Sequence, residues 1–174
     1  MNPQQNAVQR LQQTSRHLGA PAEATQNTPN FLDNQLIAST ASTWFDVHNP
    51  ATNEILTRVP QTTQGELASA VHSAERAFPA WKGATLLSRQ QILFRYVQLI
   101  RDNFERLATV ISLQQGKTLA DARGDVLRGL QVAEGACNST SHMMGDVLEV
   151  AKDMETRSYR LPLGVVAAIC PFSK

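Results

Sequence analysis

Gly116-Lys117-Thr118 has the residue types of a phosphate loop, in which backbone amides and a lysine cradle phosphates while a hydroxyl holds magnesium. The spacing fails. The glycine such a loop needs five residues ahead of Gly116 is Ile111, and no strand precedes the lysine. A helix-stop glycine followed by a cap accounts for the same residues. Arg128 lies between Gly124 and Gly129, in a stretch that reads as otherwise poor in charge. A guanidinium there could hold a carboxylate at two points, although a solvated helix face is the plainer reading of the residue alone. Cys137 falls on an apolar helical face and reads as structural, since a reactive thiol needs an electropositive, partly open setting. Cys170 ends an apolar run, at a turn where a ligand could approach. His17, His48, His72 and His142 are scattered and show no metal-ligand spacing with Cys, Asp or Glu, so no metal is assigned. No Gly-x-Gly-x-x-Gly is present.

The elements that must position these residues follow from periodicity. Residues 164–170 form an unbroken apolar run between Pro162 and Pro171, too short for a membrane span and suited to a strand buried on both faces of a parallel sheet. Ligands in open parallel sheets bind beyond the carboxyl ends of strands, which places the Cys170-Pro171 turn near a site. Earlier in the chain, Asn30–Ile37 and Trp44–His48 read as the two halves of a hairpin arm. Asn49–Asn53 reads as a turn, and Glu54–Val59 as a strand ended by Pro60. Thr63-Gln-Gly-Glu66 is a capping box, and the helix it opens is expected to stop at Pro79. A second helix is expected from Ser88 to about Gln115. A third, opened by Thr118, carries Leu119, Ala122, Val126, Leu130, Ala133 and Cys137 toward Gly145, with Gly124 and Gly129 read as permitting close helix contact. Glu155–Leu161 alternates enough to form an exposed or intersubunit strand.

Composition is ordinary, with 42% hydrophobic and 18% charged residues, and the few cysteines fit a reducing compartment. Net charge is +1, and residues 1–28 hold two arginines and one glutamate, so the remainder is neutral; this argues against nucleic acid as a main partner. No stretch is long enough to be a membrane helix. Residues 1–28 read as a mitochondrial presequence or a disordered polar leader, and 29–174 as the amino-terminal part of a larger domain.

Phe45–Glu54 with Val59-Pro60, Ala77–Trp81, Gln115–Ala122, Gly124–Gly129, Met143–Gly145 and Ser158–Val166 together resemble the amino-terminal third of the aldehyde dehydrogenases, and within them the methylmalonate-semialdehyde dehydrogenase family. The resemblance implies an α/β fold: a β-hairpin arm, three helices, an oligomerisation strand and the first strand of an incomplete Rossmann-like sheet. It implies NAD-dependent oxidation of malonate or methylmalonate semialdehyde to an acyl-coenzyme A in valine and pyrimidine catabolism. Coenzyme A is then a co-substrate, and the full-length family is homo-oligomeric and mitochondrial. Arg128 takes the role of the family's carboxylate-binding arginine, and Cys170 and Phe172 those of cofactor contacts.

The departures are informative. Ser173 stands where the family places the asparagine that donates to the oxyanion, and the resemblance puts the catalytic cysteine and general-base glutamate beyond Lys174. Gln115 replaces a glutamate common before Gly-Lys. The expectation is an amino-terminal fragment that does not itself turn over, or alternatively a non-catalytic module that pairs with full-length subunits through its arm or Glu155–Leu161.

Overall fold

Short polar turns set the β architecture of this computed structural model, which describes residues 27–170. Asp33 and Asn34 both adopt positive φ, the conformation a two-residue hairpin turn requires, so β1 (Asn30–Leu32) folds back onto β2 (Gln35–Ile37). β3 (Trp44–His48) pairs with β4 (Ile55–Pro60) across the Asn49–Asn53 turn, with Asn53 again at positive φ. The two segments expected to form one hairpin therefore make two, because each carries or adjoins its own turn. Asn27 bridges to Arg58, and the Thr28 hydroxyl lies 2.7 Å from that of Thr57. Both residues of the expected leader that are described thus belong to the folded unit; the rest of the leader lies outside the described residues.

The capping box forms as written. Thr63 N–H donates to the Glu66 carboxylate at 2.8 Å, and Glu66 N–H returns to the Thr63 hydroxyl at 3.3 Å. The helix they open, α1, runs over Gln64–Gly83, through Pro79. Proline removes one backbone donor, but the helix resumes beyond it, where Ala84 N–H closes on the Ala80 and Trp81 carbonyls. α2 (Leu86–Asp102) is capped by Thr85 rather than Ser88, whose N–H donates to the Thr85 hydroxyl at 3.2 Å. The expected long second helix is interrupted at Asn103. Its side-chain amide donates to the Leu99 carbonyl at 2.9 Å, ending α2, and α3 (Phe104–Gln115) begins at the next residue without a side-chain cap.

α4 (Leu119–Cys137) is the helix on which α2 and α3 pack. Its buried residues are Ala122, Val126, Leu130, Ala133 and Cys137, the stripe expected from the 3.6-residue period. The first half meets α3 in a cluster of Ala108, Ala122 and Val126, flanked by Phe104 and Ile111. The second half meets α2 in a cluster of Val97, Leu130, Ala133 and Cys137, flanked by Leu93 and Ile100. Ala108 and Ala122 are both 0% exposed, so alanines make the close helix approach. Gly124 and Gly129 do not: a Cβ added at Gly129 would meet nothing within 4 Å.

α4 stops at Asn138 instead of continuing toward Gly145; α5 (Ser139–His142) adds one turn. β5 (Val147–Ala151), absent from the sequence expectations, pairs antiparallel with β6 (Met154–Arg157), which begins and ends earlier than the expected Glu155–Leu161 strand. Residues 158–170 contain no strand, and Leu163 and Ile169 are 96% and 94% exposed. A strand needs a neighbour for its backbone groups. The sheets among the described residues are antiparallel pairs, and none of them reaches this run. The expected buried parallel strand is therefore not formed here.

Candidate functional site

Gly116 closes α3 in the left-handed conformation, φ 81°, with its N–H on the Ser112 carbonyl at 2.9 Å. A Cβ there would stand 2.7 Å from Cγ of Pro50, so the chain reverses against the β3–β4 turn at a point only glycine fits. Thr118 then caps α4, accepting from Asp121 N–H at 3.2 Å and donating to the Asp121 carboxylate at 2.7 Å. Helix stop and helix start are thus the roles of Gly116 and Thr118.

Between them, Lys117 is turned back over α4. Its Nζ donates to Asp125 Oδ2 at 2.7 Å, and the two side chains are only 19% and 14% exposed. Arg128, one turn further on, donates through Nη2 to the other Asp125 oxygen. The Asp125 carboxyl titrates below its usual range because Lys117 and then Arg128 stabilise the anion against partial desolvation.

Arg128 itself is 72% exposed, and among the described residues Asp125 is its one polar partner. A guanidinium carries five N–H donors, so most of the fork faces outward unspent. The trio sums to one positive charge beside an open helix face. Such an arrangement suits a small carboxylate. Lys117 draws attention in the sequence only as a phosphate-loop lysine, and Asp125 not at all, although Asp125–Arg128 at i,i+3 is a visible signal; the stretch around Arg128 is not charge-poor.

The other expected site residues stand apart from this cluster. Cys170 is exposed at the end of the strandless segment. Cys137 is buried in the α2–α4 cluster, and its carbonyl accepts from Gln90 at 2.6 Å, a structural position. Phe172 and Ser173 lie outside the described residues. The described residues do not by themselves enclose a dinucleotide, because the sheet whose strand ends would form the crevice is not among them. A groove of about 160 Å³ between the β1–β2 hairpin and α1 is lined chiefly by Phe31, Leu32, Ile37 and Leu67; its one carboxylate, Glu66, is already held by Thr40 and Thr63. Among the described residues no three His, Cys, Asp or Glu side chains gather as metal ligands, and no helix is long and apolar enough to cross a membrane.

The aldehyde dehydrogenase family profile matches residues 36–173, most of the chain. The chain belongs to the aldehyde dehydrogenase family. Within that family it is 56% identical over 144 residues to a mouse protein named methylmalonate-semialdehyde/malonate-semialdehyde dehydrogenase [acylating], mitochondrial, and 55% identical to the human protein of the same name. Those alignments cover 82% of this chain but 27% of either relative, so the chain spans about a quarter of their length. Among solved structures, an NAD complex from Sinorhizobium meliloti 1021, assigned as a methylmalonate-semialdehyde dehydrogenase, superposes with a TM-score of 0.77 at 31% identity. The match covers 83% of this chain and 29% of that one. A methylmalonate-semialdehyde dehydrogenase from Oceanimonas doudoroffii gives 0.75 at 26% identity, over 79% and 28% of the two chains. The mixed helix and strand architecture is thus part of the aldehyde dehydrogenase fold.

Proposed function

We propose that this chain serves the NAD-dependent, coenzyme A-acylating oxidation of malonate and methylmalonate semialdehyde in mitochondria. The observation that carries the reading is Arg128, an exposed guanidinium with most of its donors unspent, in a chain similar to dehydrogenases whose named substrates each bear a carboxylate. Arg128 would grip that carboxylate by a bidentate contact, holding the aldehyde end in a fixed direction. NAD accepts the hydride in this chemistry, and Cys170 with Phe172 would border its site. The mitochondrial setting rests on the names of the relatives. The test is coenzyme A-dependent NADH formation from malonate semialdehyde by the enzyme carrying this sequence. Turnover of neutral aldehydes in preference to the semialdehyde would overturn the reading.

A second reading has its own observation. Every residue of β5 and β6 is exposed, including Val147, Leu148, Val150 and Met154, and the hairpin has free edges among the described residues. Such a ribbon can pair with another subunit, which would make the chain an interaction module. Co-purification with a tagged methylmalonate-semialdehyde dehydrogenase supports this reading, and its loss when Leu148 and Val150 are both changed to lysine assigns the contact to the hairpin.

A further inference from the structure

We infer that Asp125 is the positioning residue for Arg128, and that Lys117 offsets the charge of Asp125 so that the guanidinium stays available to a monocarboxylate. The inference rests on the carboxylate-binding reading of Arg128 and adds two residues to it.

An exposed arginine on a helix samples many rotamers, and ordering it costs binding free energy. Asp125 holds one Nη2 hydrogen from the preceding turn, which removes much of that freedom before any ligand arrives. Gly124 leaves the space beside the fork open: a Cβ added there would find Arg128 Nη1 as its nearest neighbour, at 4.0 Å.

An aspartate alone would be a poor device for this purpose. Its charge cancels that of Arg128 and competes with the ligand for the same donors. Lys117 changes the balance. Its ammonium sits 2.7 Å from the far Asp125 oxygen, in a contact more sequestered than the Asp125–Arg128 one. The aspartate is thereby neutralised by the lysine while it orients the arginine. Delivery of Lys117 depends on the left-handed Gly116 turn and on the Thr118 cap.

The full 174-residue chain, labelled with nitrogen-15, tests this through the Arg128 side-chain N–H signals, with propionate as probe and propionamide as its neutral counterpart. Propionate is expected to shift the Arg128 Nε–H signal and propionamide to leave it in place. Lys117→Gln weakens the propionate response about threefold or more, the size of a near-surface charge interaction. Asp125→Ala averages the Arg128 Nη signals by freeing the guanidinium. Asp125→Asn, which keeps an acceptor oxygen and guards against misfolding of the alanine variant, retains the restricted rotation and strengthens the propionate response. A propionate response that none of the three variants alters, with unchanged Arg128 rotation, overturns the inference alone. No response of Arg128 to propionate in the unmodified chain overturns the carboxylate reading beneath it as well.

Discussion

Asp125 and Arg128 stand one helical turn apart on α4 and share an ion pair that occupies one edge of the guanidinium and leaves the rest facing solvent. On the other side of the same carboxylate, Lys117 closes a more sheltered contact. The cluster therefore keeps a net positive charge at a defined place on an otherwise ordinary helix. A glycine turn seated against Pro50, a threonine cap and two turns of α4 position it.

The turn itself is testable by paired substitutions of opposite sign. Gly116→Ala forces a side chain into a left-handed conformation and against Pro50, and is expected to destabilise the chain by about 1–3 kcal/mol. Gly129→Ala, inside α4 with open space around its Cβ position, is expected to stabilise it by about 0.5–1 kcal/mol. Urea midpoints of the two variants should fall on opposite sides of the parent.

The α3–α4 contact depends on small residues. Ala122→Leu inserts methylenes where no exposure remains, and should cost about 1–3 kcal/mol through overpacking. Leu130→Ala in the second cluster removes buried volume and should cost about 2–5 kcal/mol. Thermal unfolding followed by circular dichroism at 222 nm, the usual helix band, reads both. Equal tolerance of Ala122→Leu and an exposed change such as Val132→Leu would contradict the packing described.

Glu66 makes stability depend on acid. Backbone N–H groups of Thr63 and then Thr40 hold its carboxyl down at about 2, below an ordinary 4.5. A folded-state value below the unfolded one means the contribution is complete above about 4.5 and is lost as pH falls from there toward about 2. Glu66→Gln should flatten that part of the stability–pH curve, and an unchanged slope in the variant would argue against the latch between the β2–β3 connection and α1.

Much of this architecture was legible in the chain. The α4 stripe, the Thr63 capping box and the Gly116 stop each rest on interactions within a few residues, which spacing reports directly. Asn103 was not legible, because the apolar stripe continues across it and only the side-chain bond to Leu99 reveals the break. Pro79 misled in the opposite sense, since a helix survives the loss of one donor. The apolar run at 164–170 has the composition of a buried strand, yet composition does not supply a neighbouring edge, and the run is exposed among the described residues. At the site, Arg128 stood out by type, whereas the role of Lys117 required the geometry of the turn that folds it back onto Asp125.

The most direct measurement of the central claim is the Michaelis constant for malonate semialdehyde beside that for propanal, in the enzyme carrying this sequence and in its Arg128→Ala variant. The two aldehydes differ by a carboxylate. Loss of a charge-assisted contact should raise the constant for the semialdehyde about 10–100-fold and leave propanal nearly unchanged. An equal effect on both aldehydes, or none on either, would contradict the assignment of Arg128 to the substrate carboxylate.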